Sequence, residues 1–584
     1  MKKLLAYLRP YRKECVISPL FKLLEALFDL LVPIVVKLII DAGISKDSRV
    51  SLFGLQGKNA ILCGFGVLVA FAIIGLSCAM IAQYFAARAA VGFSTDVRRD
   101  LFAHIQRLSY AETDRVGTAT LVTRMTSDIN QLQSGVNMTL RLLLRSPIIV
   151  FGAMIMAFTV NTKSAWVFVV ILPLLAAVVF SIMFGSVPLF KKVQKNLDRV
   201  TARTRENLTG VRVIRAFRKE ADEIAQFNEA NEEHNRVQNF VGRISALMNP
   251  LTLILVNGGV ILLLLSGAKL VEIGDMSQGD VVAMTNYMAQ ILVELVKFAN
   301  TIYLVNKALA CGHRVQSVFD TPAGMETLVG EAEEGNNDAV TLRGVGLTYV
   351  AGADPSLSDI HLSVPRGATV GVIGSTGSGK SSLVNLIPRF YDATEGEVLV
   401  NGKNVKYYTA EELRDRIAIV PQKAVLFRGT VRSNLLWGNE GADDEALWAA
   451  LEAAQAKEFI LEKEGGLDAP VAQGGRNFSG GQRQRLTIAR ALVRKAEILI
   501  LDDSSSALDY ATDAALRAAI AALPEHPTVF VISQRTASIA HADLILVLED
   551  GHAVGLGRHD ELLSTCEVYR EIYESQFGKE GETA

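Results

Sequence analysis

The stretch 370–382, VGVIGSTGSGKSS, carries the strongest chemical signal in the sequence. Its apolar, β-branched start predicts a buried parallel strand, which opens into a glycine-rich loop. Such a loop lets backbone N–H groups converge on phosphate oxygens, while a lysine reaches the β- and γ-phosphates and a serine hydroxyl suits Mg²⁺. The sequence therefore predicts a phosphate-binding loop, or P-loop, made of Gly374, Ser375, Thr376, Gly377, Ser378, Gly379, Lys380, Ser381 and Ser382.

A second candidate for binding phosphate lies further along the chain, at the predicted start of a helix near Arg483. Ser479 resembles an N-cap there, and the helix behind it leaves backbone N–H groups free for an anion. Gly480, Gly481 and Gln482 complete this motif. One chain therefore carries two phosphate-binding devices, and a monomer with a single nucleotide has little use for both.

Carboxylates suited to Mg²⁺ follow another apolar run. Residues 498–501 predict a buried strand that ends at Asp502 and Asp503. A carboxylate at such a strand end can ligate Mg²⁺ directly or through water, although this signal is weak by itself. Gln422 follows the apolar run 417–420 on a predicted loop, and Gln534 follows the strand predicted over 528–533.

The order and spacing of these motifs resemble those of ATP-binding cassette (ABC) exporters. In this resemblance Gln422 is the Q-loop residue, residues 479–482 are the signature motif, Asp502 is the Walker B aspartate and residues 506–509 are the D-loop. The resemblance implies a dimer in which two cassettes enclose two ATP molecules. Each ATP is then held by the P-loop of one chain and the signature of the other.

The same resemblance extends to the ligands around each ATP. It implies that the adenine stacks on an aromatic ring, and Tyr349 occupies the matching position. It also implies that Mg²⁺ is held by Ser381, Gln422 and Asp502. ATP and Mg²⁺ are therefore the expected ligands of the soluble domain.

Two positions depart from the family pattern, and both concern catalysis. The family's general base is a glutamate directly after the Walker B aspartate, whereas this chain has Asp503, which is one methylene shorter. The family's switch histidine is replaced by Gln534, and Gln473 and Phe478 are lesser departures. A misplacement of about 1 Å can cost about a hundredfold in rate, and loss of a positioned proton acceptor costs about 10²- to 10⁴-fold. We therefore expect ATP at this chain's own P-loop to bind well and to be hydrolysed poorly.

The signature of this chain, by contrast, is intact, so it can complete a competent site on a different partner chain. Such asymmetry resembles heterodimeric bacterial exporters of the multidrug type, with one degenerate and one consensus site. The prediction is therefore the degenerate-site half of a heterodimeric ABC exporter, with a second ABC half-transporter as its partner. Two alternatives remain open: a homodimeric exporter with slow hydrolysis, and an ATP-gated channel or regulatory subunit.

Composition places these motifs in one half of the chain and a membrane domain in the other. The 584 residues are 50% hydrophobic, with a mean hydropathy of +0.28 that is high for a soluble protein. The long apolar runs lie before about Asn306, and the remainder has the pattern of a globular α/β domain. The formal net charge of −2 gives no support to bulk nucleic-acid binding.

Six apolar segments are long enough to cross a lipid bilayer. The short basic segment 1–16 precedes them and is expected to lie on the inner membrane surface. Absence of proline from the long connections lets the second to fifth spans continue into water as helices. These extensions are basic, so the positive-inside rule places them, both termini and the soluble domain in the cytoplasm. The resemblance to bacterial exporters implies that the membrane is the cell membrane of a bacterium. The six segments are residues 18–42, 60–87, 142–160, 164–189, 247–271 and 279–305.

Each long extension has a break at its tip. Residues 110–120 and 209–217 lie there and can touch the nucleotide-binding domain, and the resemblance identifies such tips as coupling helices. A solvated turn is the alternative for either segment.

Polar residues inside the predicted spans form two stripes, and such residues are costly in a membrane unless they face water or protein. One face of the sixth span carries polar residues at helical spacing, so that span is predicted to line a hydrated cavity. Contact with substrate and ordinary bonding between helices are equally compatible with either stripe. The stripes are Asn286, Gln290, Glu294 and Lys297 in the sixth span, and Lys22, Glu25 and Asp29 in the first.

The predicted architecture is a six-helix α-helical transmembrane domain with long cytosolic helical extensions, followed by an α/β P-loop ABC nucleotide-binding domain. We place the transmembrane domain at 1–320, an acidic, polar linker at 321–338 and the nucleotide-binding domain at 339–584. The sequence does not identify the substrate. Aromatic and methionine residues in the spans are compatible with a small amphipathic or lipophilic molecule, although such residues more often serve packing.

Overall fold

The computed structural model describes residues 2–44, 51–322, 324–325, 327–333, 335–350 and 352–577. The chain divides into two compact units. The first comprises Met1–Gln106 and Gly117–Pro322, and the second comprises Arg107–Val116 and Ala323–Ala584. The second unit therefore includes a short segment from the helical half of the chain.

The first unit is built of helices. Two of them, Lys58–Ile105 and Thr162–Thr209, have 48 residues each, which is about 72 Å at 1.5 Å per residue. This length is more than twice the roughly 30 Å of hydrocarbon in a bilayer, so both helices are long enough for the predicted continuation beyond it. The helices of this unit are Lys2–Leu5, Arg12–Ile39, Lys58–Ile105, Thr118–Thr123, Ile129–Met138, Arg145–Val160, Thr162–Thr209, Val211–Ala216, Glu220–Ala246, Met248–Ile273 and Gln278–Asp320.

Five helical stretches in the described part of the chain are long and apolar enough to span a membrane. They are Lys58–Ile105, Thr118–Val160, Thr162–Thr209, Glu220–Ile273 and Gln278–Asp320. The helix Arg12–Ile39, which contains most of the first predicted span, is not among them. Charged residues recur along that helix, at Lys22, Glu25, Asp29 and Lys37. The structure therefore supports a multi-span helical domain, and the count of six spans stays a prediction.

A six-stranded sheet lies at the centre of the second unit. Its neighbouring strands are parallel except for one antiparallel pair at the edge. Since the carboxyl ends of parallel strands meet at one edge of a sheet, Gly374, Asp502 and Val420 come to the same side. In order across the sheet, the strands are His552–Gly557, Leu544–Glu549, Thr369–Gly374, Thr528–Ile532, Ile498–Asp502 and Ile417–Val420.

Smaller elements complete the second unit. An antiparallel sheet has the strand order Leu357–Pro365, Asp338–Leu347, Glu395–Val400 and Lys403–Asn404, and Gly429–Thr430 pairs with Pro470–Val471. Leu342, Leu362 and Val398 are buried in an apolar core that this sheet shares with the central one. The helices are Tyr110–Val116, Lys380–Leu386, Ala410–Asp415, Val431–Leu435, Asp444–Ala453, Lys457–Leu461, Gly480–Val493, Tyr510–Ala521, Thr536–Ile539, His559–Thr565 and Glu567–Phe577.

The predicted linker differs from a freely solvated connector. The Leu328 backbone N–H donates to the Lys406 carbonyl at 2.9 Å, and the Glu333 N–H donates to the Gly402 carbonyl at 2.9 Å. The Glu333 carboxylate also pairs with Arg343 at 2.6 Å. Glu333 of this segment therefore has partners in the second unit, which composition alone could not indicate. Ala323, Glu326 and Glu334 of the linker lie outside the described residues.

Candidate nucleotide site

The P-loop is held between a buried strand and a short helix, as predicted. Strand Thr369–Gly374 leads into residues 375–379, and helix Lys380–Leu386 follows. Gly377 and Gly379 have φ values of +89° and +93°, a region that residues with a Cβ atom rarely adopt. A Cβ atom at Gly379 would also lie 2.6 Å from the Ser356 carbonyl oxygen. Glycine is therefore required here for both backbone conformation and space.

Lys380 is buried at the base of this loop, with 9% of its surface exposed. Its ammonium donates to the carbonyl oxygens of Gly374 at 2.9 Å and Ser375 at 2.6 Å, and lies 3.4 Å from the Ser378 hydroxyl. Burial lowers the pKa of Lys380, because a buried cation that is not ion-paired is poorly stabilised. None of the described carboxylates forms a salt bridge with it, so the ammonium is suited to an anionic ligand such as a phosphate.

Oxygen donors for a hard cation lie beside this lysine. The Ser381 hydroxyl donates to Asp502 Oδ1 at 3.0 Å, and Asp502 ends the buried strand Ile498–Asp502. Burial raises the pKa of Asp502, which a bound cation would oppose. The described residues contain no cluster of three or more His, Cys, Asp or Glu side chains that could hold a metal by themselves. One carboxylate, one hydroxyl and the Gln422 amide oxygen fit Mg²⁺, which is usually bound through one or two carboxylates together with substrate phosphates.

Asp503 and Gln534 border the same cavity, which has a volume of about 240 Å³. Asp503 Oδ2 accepts a long hydrogen bond of 3.4 Å from Gln422 Nε2, and burial raises the pKa of the Asp503 carboxyl. Its backbone φ is +47°, which aspartate tolerates better than glutamate. The cavity brings together Thr376, Gly377, Gly379, Lys380, Ser381, Ser382, Gln422, Asp502, Asp503 and Gln534.

The residues after Gln534 are held by a helix that the sequence analysis did not connect with the site. Gln576 Nε2, on helix Glu567–Phe577, donates to the Gln534 carbonyl at 2.7 Å. Gln576 Oε1 accepts from the Thr536 backbone N–H at 2.9 Å and from its hydroxyl at 3.0 Å. The C-terminal helix thus fixes the backbone on which Gln534 is carried. No local pattern indicates this contact, because its partners are 40 and 42 residues apart.

Tyr349 lies beside the P-loop helix, where its hydroxyl donates to Ser382 Oγ at 2.9 Å. Its ring is half-exposed and meets the Tyr391 ring edge-on, with 5.0 Å between centroids. Tyr391 donates in turn to the Asp114 carboxylate at 2.5 Å. An exposed aromatic face at this position can receive an adenine ring.

Asp114 belongs to helix Tyr110–Val116, the segment that joins the second unit. Tyr110 stacks on Phe390 with ring centroids 4.3 Å apart. The predicted contact between residues 110–120 and the nucleotide-binding domain is therefore confirmed for Tyr110 and Asp114. Residues 209–217 lie in the first unit, and their role stays a prediction.

The signature motif does not border the cavity described above. Ser479 caps helix Gly480–Val493: its hydroxyl accepts from the Gln482 N–H at 3.2 Å, and its own N–H donates to Gln482 Oε1 at 3.0 Å. Gly480 and Gly481 occupy the first turn, and all four residues are at least partly exposed. The motif thus forms a preorganised helix N-terminus that can bind an anion. It does not border the P-loop cavity of its own chain.

In the first unit, the two predicted polar stripes face each other across Arg145. Its guanidinium donates to Glu294 Oε1 and to Asp29 Oδ2, both at 2.8 Å, and Lys22 pairs with Glu25 at 2.6 Å. Asp29, Arg145, Asn286, Gln290 and Glu294 border a cavity of about 400 Å³. The sequence analysis missed Arg145, although a charge inside an apolar run is itself a signal of function or pairing.

Comparison with known proteins gives consistent results over both halves of the chain. A family model of the ABC transporter transmembrane region matches residues 15–295, and one of the ABC transporter matches residues 357–506. The ABC transporter ATP-binding protein Rv1273c of Mycobacterium tuberculosis is 37% identical over 98% of this chain and 97% of its own length. YfiB, an ABC transporter ATP-binding protein of Bacillus subtilis, is 34% identical over 100% of this chain and 99% of its own length.

The fold is similar to that of a solved protein. The structure of a bacterial Atm1-family ABC exporter with ATP bound has a TM-score of 0.79 to this chain. The match covers 98% of this chain and 99% of that one, at 23% sequence identity.

Proposed function

This chain belongs to the ABC transporter family and is an ATPase coupled to transport, and we propose that it forms the degenerate-site half of a heterodimeric exporter. Export as the direction is supported by the shared fold with the Atm1-family exporter. The observation that carries the proposal is the pair Asp503 and Gln534, which border the P-loop cavity where the family has glutamate and histidine.

Several groups in and beside the cavity have separate roles in holding ATP. The N–H groups of the P-loop and the Lys380 ammonium bind and orient the phosphates. Ser381, Asp502 and Gln422 hold Mg²⁺, which neutralises charge on the phosphates when it is bound. The Tyr349 ring positions the adenine. These groups are all present, so binding is retained.

The hydrolytic step is where this site falls short. A general base must lie within about 2.6–3.2 Å of the proton that it accepts. The Asp503 side chain is one methylene shorter than glutamate, and it is engaged by Gln422. Gln534 offers an amide where a histidine could carry charge. We therefore expect that ATP at this P-loop holds the two cassettes together for much longer than one turnover of the partner's site.

The partner supplies what this chain lacks. The signature Ser479, Gly480, Gly481 and Gln482 of this chain completes the partner's consensus site, and the partner's signature closes on Lys380 of this one. ATP binding brings the cassettes together, and the long helices transmit this closure to the transmembrane domain. The cavity of the transmembrane domain then turns from inward- to outward-facing. Hydrolysis at the consensus site then resets the cycle.

The proposal also includes the limits of the domains and their placement in the cell. Residues 1–320 form the transmembrane domain with six spans in the bilayer of a bacterial cell membrane, residues 321–338 the linker, and residues 339–584 the cytoplasmic nucleotide-binding domain. The substrate is a small amphipathic or lipophilic molecule. Nucleic acid is not expected as a partner.

The test is a comparison of ATPase activity with and without a consensus partner. The purified chain alone should hydrolyse ATP very slowly, and reconstitution with an ABC half-transporter that carries glutamate and histidine at the two positions should restore activity. High activity of the chain alone that is lost in Lys380→Ala would contradict the proposal and favour a homodimer. ATP-dependent uphill transport in proteoliposomes separates an exporter from an ATP-gated channel.

A further inference from the structure

The second unit contains a further cavity, which is separate from the nucleotide site. Its volume is about 500 Å³, within the range of about 300–1,000 Å³ typical of sites for small ligands. Among the described residues, none that borders this cavity also borders the P-loop cavity. Its border includes residues of strands Ile498–Asp502 and Thr528–Ile532 and of helices Tyr510–Ala521 and Thr536–Ile539.

One side of this cavity is apolar. Leu501, Val529 and Val531 of the central sheet lie there, and Ile520 borders it from helix Tyr510–Ala521. All four side chains are buried in the core of the unit. A ligand with an apolar body can therefore exclude water from this side of the cavity.

The other side carries a guanidinium with free donors. Arg517 borders the cavity, and its Nε is buried without a hydrogen bond to any described residue. Asp513 Oδ2 is its ion-pair partner in the described part of the chain, at 3.3 Å from that Nε. A guanidinium has five N–H donors, and a carboxylate can accept two of them side by side. Arg517 can therefore bind a planar oxyanion without giving up Asp513.

The neighbouring carboxylates are engaged elsewhere. Asp513 is buried and also accepts from the Ser538 hydroxyl at 3.0 Å. Asp543 Oδ2 accepts from the Thr369 backbone N–H at 2.8 Å. Neither carboxylate borders the cavity, and the described residues that do include no aspartate or glutamate. An anionic ligand would therefore meet no acidic side chain on the border.

Two histidines add further donors. His526 and His541 border the cavity and are exposed. A neutral imidazole carries one N–H group and a protonated imidazole carries two. The guanidinium and both imidazoles can thus donate to one ligand, while its apolar part lies against the sheet.

A neighbouring cavity of the same unit has a different character. It has a volume of about 170 Å³, and its charged border residues are Lys495 and Glu525. These two side chains form an ion pair at 3.3 Å. The smaller cavity therefore satisfies its own charges, whereas the cavity of Arg517 has a cation on its border and no acid beside it there.

The two helices at this cavity follow segments of the nucleotide site. Helix Tyr510–Ala521 begins directly after the D-loop, residues 506–509, and helix Thr536–Ile539 begins two residues after Gln534. Arg535 already joins the two segments, because its guanidinium donates to the carbonyls of Leu508 at 3.1 Å and Ser506 at 3.3 Å. A ligand that contacts both helices would therefore restrain the D-loop and the segment of Gln534 together.

We propose that this cavity is a regulatory site for an organic monoanion, with an apolar body and one carboxylate that binds Arg517. The carboxylate gives the buried guanidinium the acceptors that it lacks, and the apolar body covers Leu501, Val529 and Val531. Bound ligand restrains the D-loop and the segment of Gln534. The site is formed by one chain, so it depends neither on the heterodimer nor on the transported molecule.

The test uses two probes that share a ring system and differ in charge, 2-naphthoate and neutral 2-naphthamide. Binding to the full-length chain in lipid nanodiscs is measured by ligand-observed NMR, against empty nanodiscs. Mg²⁺ and a non-hydrolysable ATP analogue fill the nucleotide site, so that neither probe can occupy it. We expect saturable binding of 2-naphthoate and at least tenfold weaker binding of 2-naphthamide.

Three variants locate the site. Arg517→Gln should weaken binding of 2-naphthoate about 10- to 150-fold, as expected for a bond to a charged group, and so remove the preference for the anion. Ala518→Leu places a larger side chain on the border of the cavity and should weaken binding at least tenfold. Ala515→Leu, on the same helix, exposed and outside the cavity, is the matched control and should bind like the wild type.

Hydrogen exchange tests the regulatory part of the proposal. Saturating 2-naphthoate should slow exchange at residues 506–509 and 534–536 at least threefold in the wild type and in Ala515→Leu, and should not do so in Ala518→Leu. Unchanged exchange in both segments of the wild type, with the probe bound, would overturn the regulatory role.

Other outcomes would overturn the site itself. These are equal affinity of 2-naphthoate for Ala518→Leu and Ala515→Leu, equal binding of both probes to the wild type, or an unchanged preference for the anion in Arg517→Gln. If Arg517→Gln fails to fold, as judged by lost ATP binding, the two leucine variants decide. Fast hydrolysis by the isolated chain would overturn the heterodimer and leave the result with these probes standing.

Discussion

Restoring the missing catalytic groups should turn the slow site into a faster one. The double variant Asp503→Glu with Gln534→His places the family's carboxylate and imidazole at the border of the P-loop cavity. The glutamate extends the carboxylate by about 1.5 Å, one carbon–carbon bond. Since an error of about 1 Å can cost about a hundredfold, correcting it should recover about that factor at this site.

The backbone at position 503 limits the gain. Its φ of +47° costs an ordinary L-residue about 1–2 kcal/mol, which is a factor of about 5–30. If the whole of this strain is felt in the reactive state, Asp503→Glu retains an increase of about 3- to 20-fold.

Burial raises the pKa of the carboxyl at this position. The basic form is therefore lost as pH falls through this raised pKa, and the gain should be smaller at acidic pH.

The assay is phosphate release by a heterodimer whose partner site is inactivated, so that only the site of Lys380 is read. Asp550→Glu is a matched control, since Asp550 also has a positive φ, of +43°, but lies outside the cavity. It should share the loss of stability without the gain in rate. An unchanged rate in the double variant, while both variants fold and bind ATP, would refute the assignment of Asp503 and Gln534 as the cause of slow turnover.

The remaining predictions concern binding, coupling and the support of the site. Lys380→Ala removes a buried ammonium and should weaken ATP binding about 10- to 150-fold, as expected for a bond to a charged group, in titrations with a fluorescent nucleotide; retained affinity would contradict its role. Tyr391→Phe removes the bond to Asp114 but keeps the ring against Tyr349, so transport in proteoliposomes should fall about 2- to 10-fold while ATPase activity changes less than twofold. Asp114→Asn, which can still accept that bond, should retain transport, and an equal loss in both variants would argue against the hydroxyl. Gln576→Ala should increase hydrogen exchange at residues 534–536 about tenfold, because three bonds to that segment are lost. Ser575→Ala, whose hydroxyl bonds only within its own helix, to Ile572, should leave that exchange unchanged, and a similar increase in both variants would refute a specific role for Gln576.

Local motifs allowed much of the nucleotide site to be predicted from the sequence. The P-loop follows one buried parallel strand, and Asp502 and Asp503 lie at the end of another. The geometry of such a sheet brings strand ends together. Their separation in sequence therefore did not obscure their proximity in space. The spacing of the glycines likewise reflected the positions where the backbone adopts a positive φ, as Gly377 and Gly379 do.

Contacts set by tertiary packing could not be predicted in the same way. Arg145 reaches Asp29 and Glu294 from a third helix, and helical periodicity reports the face of one helix but not the partner that it meets. Gln576 and Tyr391 have no motif, because a single hydrogen bond to a distant backbone or carboxylate leaves no pattern along the chain. The first predicted span was the hardest to assign by composition, because helix Arg12–Ile39 carries several charged residues.

The account depends most directly on which nucleotide occupies each site during turnover. A heterodimer working with radiolabelled azido-ATP is quenched, freed of unbound nucleotide and photolabelled, and the nucleotide on each chain is identified. The account predicts intact ATP on the chain that carries Lys380 and mainly ADP on its partner. Equal amounts of ADP on both chains would contradict it and indicate two equivalent hydrolytic sites.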